Sequence, residues 1–189
     1  MDTPSSSLTP HRILTPPDKA TGLLLAECAY KAYQTQKVAP PPTGFRFVQY
    51  FWGFDPILFG WGKNEHYGVI FQHLKQPNTY IFSFKGTATA ADWLEDARAV
   101  FRSPFHYYPE KTLYSGDAKV AHGFYAVYHT PTTNGHKSMR EQLFDFLQHN
   151  TVHKLYITGH SLGSALAELF TFDLNHYLSL HKTLPLQYI

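Results

Sequence analysis

The sequence predicts an α/β sandwich built on a mixed central sheet. Two strand-like segments joined by a tight turn lie in the front half, at residues 67–72 and 79–84, and call for antiparallel pairing. Helical and strand-like segments alternate in the back half, which calls for parallel β-α-β units. Between the two kinds of evidence stands Gly159-His160-Ser161-Leu162-Gly163, preceded by an apolar strand at 155–158 and followed by a helix-forming run at 164–170. Strand, sharp turn and helix together are the context in which a G-x-S-x-G sequence lifts its serine off the sheet.

Each element has its own warrant. Residues 1–20 begin rich in Ser, Thr and Pro and read as a flexible N-terminal tail, leaving residues 21–189 as one domain. From about 21 to 38 the residues Leu23, Ala26, Tyr30 and Tyr33 recur at helical spacing and are expected to face inward. Pro40-Pro41-Pro42 ends that helix, because proline has no N–H to donate and its ring clashes with the preceding turn. Residues 45–51 alternate as a strand. Residues 67–72 and 79–84 are rich in β-branched and aromatic side chains, and Lys75-Gln76-Pro77-Asn78 is the hairpin turn between them.

Thr89-Ala90-Ala91-Asp92 looks like a capping box with Asp in place of Glu. It opens a helix carrying Trp93, Ala97, Val100 and Phe101 on one face. Residues 137–149 form another helix with Met139, Leu143, Phe146 and Leu147 inward. The elbow strand, an elbow helix to about residue 181, and the start of one more strand at 184–189 complete the pattern.

Composition excludes several classes. The 189 residues suffice for one domain with a sizeable core, and 43% hydrophobic with 16% aromatic content argues against disorder. A net charge of +2 without a basic run gives no basis for nucleic-acid binding. The 12 histidines are scattered, and no His/Cys group has metal-ligand spacing, so no metal is expected. Cys28 is the single cysteine, so no internal disulfide forms; it reads as a small apolar residue on a helix face. No apolar run approaches the ~18 residues of a transmembrane segment. The N-terminus lacks a basic start followed by an apolar stretch, so no secretory signal is read and the expected compartment is cytoplasmic.

Four stretches resemble the class 3 lipase family of α/β-hydrolases. Ile81-Phe82-Ser83-Phe84-Lys85-Gly86-Thr87 looks like its strand and oxyanion loop, and Asp92-Trp93-Leu94-Glu95-Asp96 like its lid region. Ala121-His122-Gly123-Phe124-Tyr125 resembles its His-Gly-Phe stretch, and residues 158–167 resemble its elbow. Lys85 stands where the family usually has arginine, and Ser164 where it usually has glycine. Lysine keeps the charge, and serine is small enough for helix–strand packing. The resemblance covers about residues 21 to 189 and implies an α/β-hydrolase-type sandwich.

The chemistry then distributes over few residues and calls for no cofactor. Ser161 is the expected nucleophile, a poor one until a base removes its proton. The backbone N–H of Leu162 is placed to hold the oxyanion, and by resemblance the second donor is the backbone N–H of Thr87. Trp93 is a lid candidate by resemblance, while its spacing with Ala97 and Val100 equally fits the packed face of its helix. His122 reads as a structural hydrogen-bonding residue. His160 is adjacent to the serine, and adjacent side chains diverge at a tight turn.

An α/β-hydrolase places its acid and histidine after the serine. The aspartate and histidines behind Ser161 are Asp173, His176 and His181, and Asp173 is about 18 Å along the helix axis. A hydrogen bond to a base needs about 3 Å, so these residues do not complete a triad and are expected at the surface or in caps. The acid and base are expected beyond Ile189, which makes the domain an incomplete front part, truncated at the C-terminus. Three readings stay open. The first is a serine hydrolase of acylglycerols or related lipid esters, working at a membrane or emulsion surface. The others are a non-catalytic lipase-like protein, and an esterase or thioesterase with a non-lipid substrate.

Overall fold

A computed structural model describes residues 17–34, 39–55, 63–86, 102–104, 119–132, 137–180 and 186–188. Its larger sheet has five strands. β1 (Phe45–Asp55), β2 (Lys63–His73) and β3 (Thr79–Phe84) run antiparallel in sequence. β6 (Lys154–Gly159) then lies parallel to β3, and β7 (Gln187–Tyr188) parallel to β6, giving the order β1-β2-β3-β6-β7. The mixed sheet is therefore as the sequence reading has it. A separate ribbon pairs β4 (Arg102–Pro104) with β5 (Lys119–Ala121).

Helices cover both faces. α2 (His122–His129), α3 (Met139–His149) and α4 (Leu162–Leu180) pack on one side. Val127, Tyr128, Leu143, Phe146, Leu166, Phe170 and Leu174 close there on Phe51, Phe82 and Phe84. The rings of Phe82 and Phe84 lie 5.6 and 6.0 Å from that of Phe170, so the elbow helix is fixed to the strand beside the elbow. α3 starts with a reciprocal cap: the Ser138 hydroxyl accepts from the Glu141 N–H, and the Glu141 carboxylate accepts from the Ser138 N–H.

α1 (Lys19–Lys31) covers the other face, capped by Asp18, whose carboxylate accepts from the Thr21 N–H at 2.7 Å. Its orientation corrects the sequence reading. Leu25, Cys28, Ala29 and Ala32 face the sheet, whereas Leu23 is 63% and Tyr30 71% exposed. Both sets have helical spacing. The small one wins because Cys28 and Ala32 let the helix backbone approach Val69, Phe71 and Ile81 closely.

The edge strand β1 is bulged, with register shifts between Phe47 and Gln49 and between Phe51 and Trp52. At the second shift the Gln142 carboxamide replaces a neighbouring strand. Its oxygen accepts from the Trp52 N–H at 2.9 Å and its nitrogen donates to the Trp52 carbonyl at 2.9 Å. Such cover blunts an edge that would otherwise template pairing with another chain. At the opposite side β7 pairs with Lys154 and Leu155 of β6. The expected helix from Thr89, with Trp93, lies outside the described residues.

Candidate active site

The site forms where β3 and β6 leave the sheet side by side. Phe84 pairs with Gly159, so Lys85-Gly86 and His160-Ser161 emerge together at the carboxyl ends of adjacent parallel strands. Crevices at this position are where open α/β sheets bind ligands.

Ser161 has φ +56°, the single non-glycine residue with positive φ among the described residues. Left-handed backbone costs an L-residue about 1–2 kcal/mol, so the surroundings must impose it. They do so through the turn that opens α4. The Gly163 N–H donates to the His160 carbonyl at 3.0 Å, and the Ser164 N–H to the Ser161 carbonyl at 2.8 Å. The Ser164 hydroxyl donates back to the Gly159 carbonyl at 3.0 Å. Serine at 164, where the resembling family has glycine, therefore adds a bond across the elbow.

Both flanking glycines are required by close approach. A Cβ on Gly159 would strike the Gly163 carbonyl, and one on Gly163 would strike the Phe84 carbonyl. The result is an exposed Ser161 at the turn that opens α4, with the Gly163 and Ser164 N–H groups committed to that turn. Leu162, with its side chain 6% exposed, is anchored in the core, so its backbone is held beside the serine. A helix N-terminus also favours negative charge developing there.

The β3 exit is fixed from below. Lys85 is 5% exposed and pairs with the Glu65 carboxylate, while its N–H donates to the Tyr67 carbonyl at 2.6 Å. His66 lies beside this pair, and burial first, then the Lys85 charge, hold its pKa below the usual imidazole range. Next in the chain comes Gly86. A Cβ there would meet the Tyr33 hydroxyl and would lie 2.8 Å from the His160 carbonyl oxygen and 3.1 Å from the Ser161 Cβ. The loop thus touches the elbow directly. Thr87 itself lies outside the described residues, as does Trp93.

The other candidates separate. His160 is exposed, and its Nδ1 is 2.9 Å from the Tyr33 hydroxyl. His122 is the exposed first residue of α2. Asp173 and His176, expected at the surface, are buried at 0% and 3% exposure. Arg140 is the reason: its Nε and Nη2 donate to the Asp173 oxygens at 2.7 and 3.2 Å, and the Tyr128 hydroxyl donates at 2.9 Å. A carboxylate with both oxygens committed this way can be buried without remaining charged and unpaired. Burial is also the main cause that pushes the His176 pKa down, with Asp173 opposing it.

Sequence reasoning does not find Tyr33 or Glu65 at this site. Tyr33 stands 127 residues from its partner, and no local pattern signals such a meeting. A buried charge at Lys85 implies a counter-ion somewhere, but not which one.

The family model described as Lipase (class 3) matches residues 81–184, more than half of the chain. Phospholipase A(1) DAD1, chloroplastic, of Arabidopsis thaliana is 33% identical over 98 residues, which cover 50% of this chain and 22% of that protein. The match therefore spans less than a quarter of that relative's length.

Proposed function

Since the chain belongs to the class 3 lipase family, we propose that it carries the nucleophile and the oxyanion-binding elements of a hydrolase of acylglycerols or related lipid esters, on an α/β-hydrolase-type sandwich. The observation that carries this reading is Ser161, exposed at φ +56° between β6 and α4 and in contact range of the β3 exit. In the proposed reaction Ser161 Oγ attacks the ester carbonyl and a base takes its proton. The tetrahedral oxyanion is held by the N–H groups of Leu162 and Thr87, the alcohol leaves, and water then releases the acid. Loss of one such donor costs about 10²–10³ in rate.

The base is a histidine oriented by a carboxylate, and we assign neither to the described residues. Asp173 is committed to Arg140 and Tyr128, and His160 to Tyr33. A lid that includes Trp93 would carry the substrate interface, at a membrane or emulsion surface. No helix among the described residues is long and apolar enough to cross a membrane.

Fluorophosphonate labelling tests the reading. The full-length protein is expected to label at Ser161 and to hydrolyse p-nitrophenyl esters and emulsified acylglycerols. A folded protein that neither labels nor turns over either substrate would show the site to be non-catalytic. For the lid, Trp93→Ala should reduce the gain in rate on passing from monomeric to micellar substrate. Equal losses on both substrates would make Trp93 a core residue.

A further inference from the structure

The elbow and the β3 exit are local features, but something must hold them at a fixed separation. We propose that Tyr33 is the positioning residue that does so: its hydroxyl, carried just past the end of α1, ties the His160 ring and backs Gly86. The inference rests on the serine-hydrolase reading and adds a residue to it.

Tyr33 is well placed to act as a rigid arm. Cys28, Ala29 and Ala32 bury the sheet-facing side of α1, and the Thr158 hydroxyl of β6 donates to the Leu25 carbonyl at 3.2 Å. The helix is therefore registered against the elbow strand itself. Just past its last turn, the Tyr33 N–H donates to the Tyr30 carbonyl at 3.2 Å, which keeps the backbone wound where the ring departs. The ring meets that of His160 edge to face, with centroids 5.9 Å apart, and the phenol oxygen lies 2.9 Å from Nδ1. The same oxygen occupies the space that a Cβ on Gly86 would need. One hydroxyl thus touches both halves of the crevice.

The elbow has a reason to need this brace. Positive φ at Ser161 persists only while its neighbours prevent relaxation. His160 is the residue immediately before it, and its carbonyl accepts the Gly163 N–H that closes the turn. Rotation of the His160 peptide would release both the turn and the serine. A ring tethered to α1 opposes that rotation. Tyr33 acts through His160 and Gly86, so its effect is on alignment, and small misalignments at a reacting centre are costly. The tie works with either ring proton. The hydroxyl donates when Nδ1 is bare and accepts when Nδ1 carries the proton.

The test is a double-mutant cycle in the full-length protein. Tyr33→Phe removes the hydroxyl and keeps the ring. It should lower kcat on a soluble p-nitrophenyl ester about tenfold, near the worth of one net hydrogen bond. KM should stay within about twofold, fluorophosphonate labelling should slow by the same factor as kcat, and Tm should move by less than about 2 °C. His160→Phe should give a similar loss, and the double variant no further loss, since both remove one tie. Histidine-labelled native protein should show the His160 Nδ1 hydrogen-bonded, a readout independent of activity and of whether variants fold.

Unchanged kcat, additive losses, a fall in Tm that accounts for the lost activity, or a His160 Nδ1 without a hydrogen-bond signature would each overturn the assignment. Failure of the native protein to label would instead remove the serine-hydrolase reading and the inference with it. Labelling of Tyr33→Phe at the native rate would remove the inference alone.

Discussion

The elbow and the Asp173 cluster sit at opposite ends of the chemistry, although one helix carries both. At the start of α4, Ser161 is exposed, strained and polar. About three turns later Asp173 is buried, with Arg140 donating to both its oxygens. The first site tolerates an unfavourable backbone because surrounding bonds over-determine it, and it holds its serine at the surface. The second removes a charge from water and surrounds it with donors from α2 and α3. Reactivity and burial of polar groups are thus separated along one helix. Asp173, further along the same helix, joins α2 and α3 to it through Tyr128 and Arg140.

Substitutions at the two ends should therefore split activity from stability. The largest effect is expected at Ser161. Ser161→Ala in the full-length protein should lower ester hydrolysis at least about 10⁴-fold, on the scale of triad knockouts, with Tm unchanged or raised. Residual activity above about 1% would break the contrast at its reactive end.

Asp173→Ala should do the opposite. Removing one partner of a buried pair strands the other, so about 3 kcal/mol of stability should be lost in urea unfolding. Activity per folded molecule should hold within about twofold. A large loss of activity without loss of stability would bring Asp173 back into the chemistry.

Gly163→Ala should fall between the two and affect both measures. The new Cβ would run into the Phe84 carbonyl, and backbone must move to admit it. A cost of about 1–3 kcal/mol is expected, with slower fluorophosphonate labelling because the elbow shifts against β3. If only stability changed, the elbow geometry would prove less coupled to the sheet than its packing implies.

The smallest effect is expected from pH. The folded state lowers the pKa of His176, and of His66, below the ordinary 6.5, chiefly through burial. The unfolded chain then takes up these protons first as pH falls. Their neutral forms therefore fit the fold fully above pH 6.5, and stability is lost progressively below it. Tm should drop on acidification through this window, and His176→Gln should flatten the slope without changing the rate of Ser161 labelling. A flat profile in the native protein would show that burial at the Asp173 end does not couple to protonation.

Much of the reactive end of this contrast is legible in the amino-acid sequence. The strand at Thr79–Phe84 has the boundaries that its β-branched and aromatic pattern implies, and Met139, Leu143, Phe146 and Leu147 face inward on α3 as their spacing requires. α2 is not legible, because its eight residues are too few to establish a period. The face of α1 misleads because its largest apolar residues include Leu23 and Tyr30, whereas close helix–sheet approach selects small ones. The burial of Asp173 carries no signal of its own, because a carboxylate defaults to the surface unless its partner is known.

The division has a physical cause. An elbow is written in a dozen consecutive residues, since strand propensity, glycines at close approach and a helix start all act over that span. The sequence alone therefore determined that Ser161 would stand at a strand–helix turn and that the sheet would be mixed. Partners far apart in the chain carry no such local signature. Tyr33 meets His160 across 127 residues, and Arg140 and Tyr128 reach Asp173 across 33 and 45. Only the packing of α1, α2 and α3 around the sheet decided these pairings, because whether a polar side chain is braced, buried or left exposed depends on which surface folds against it.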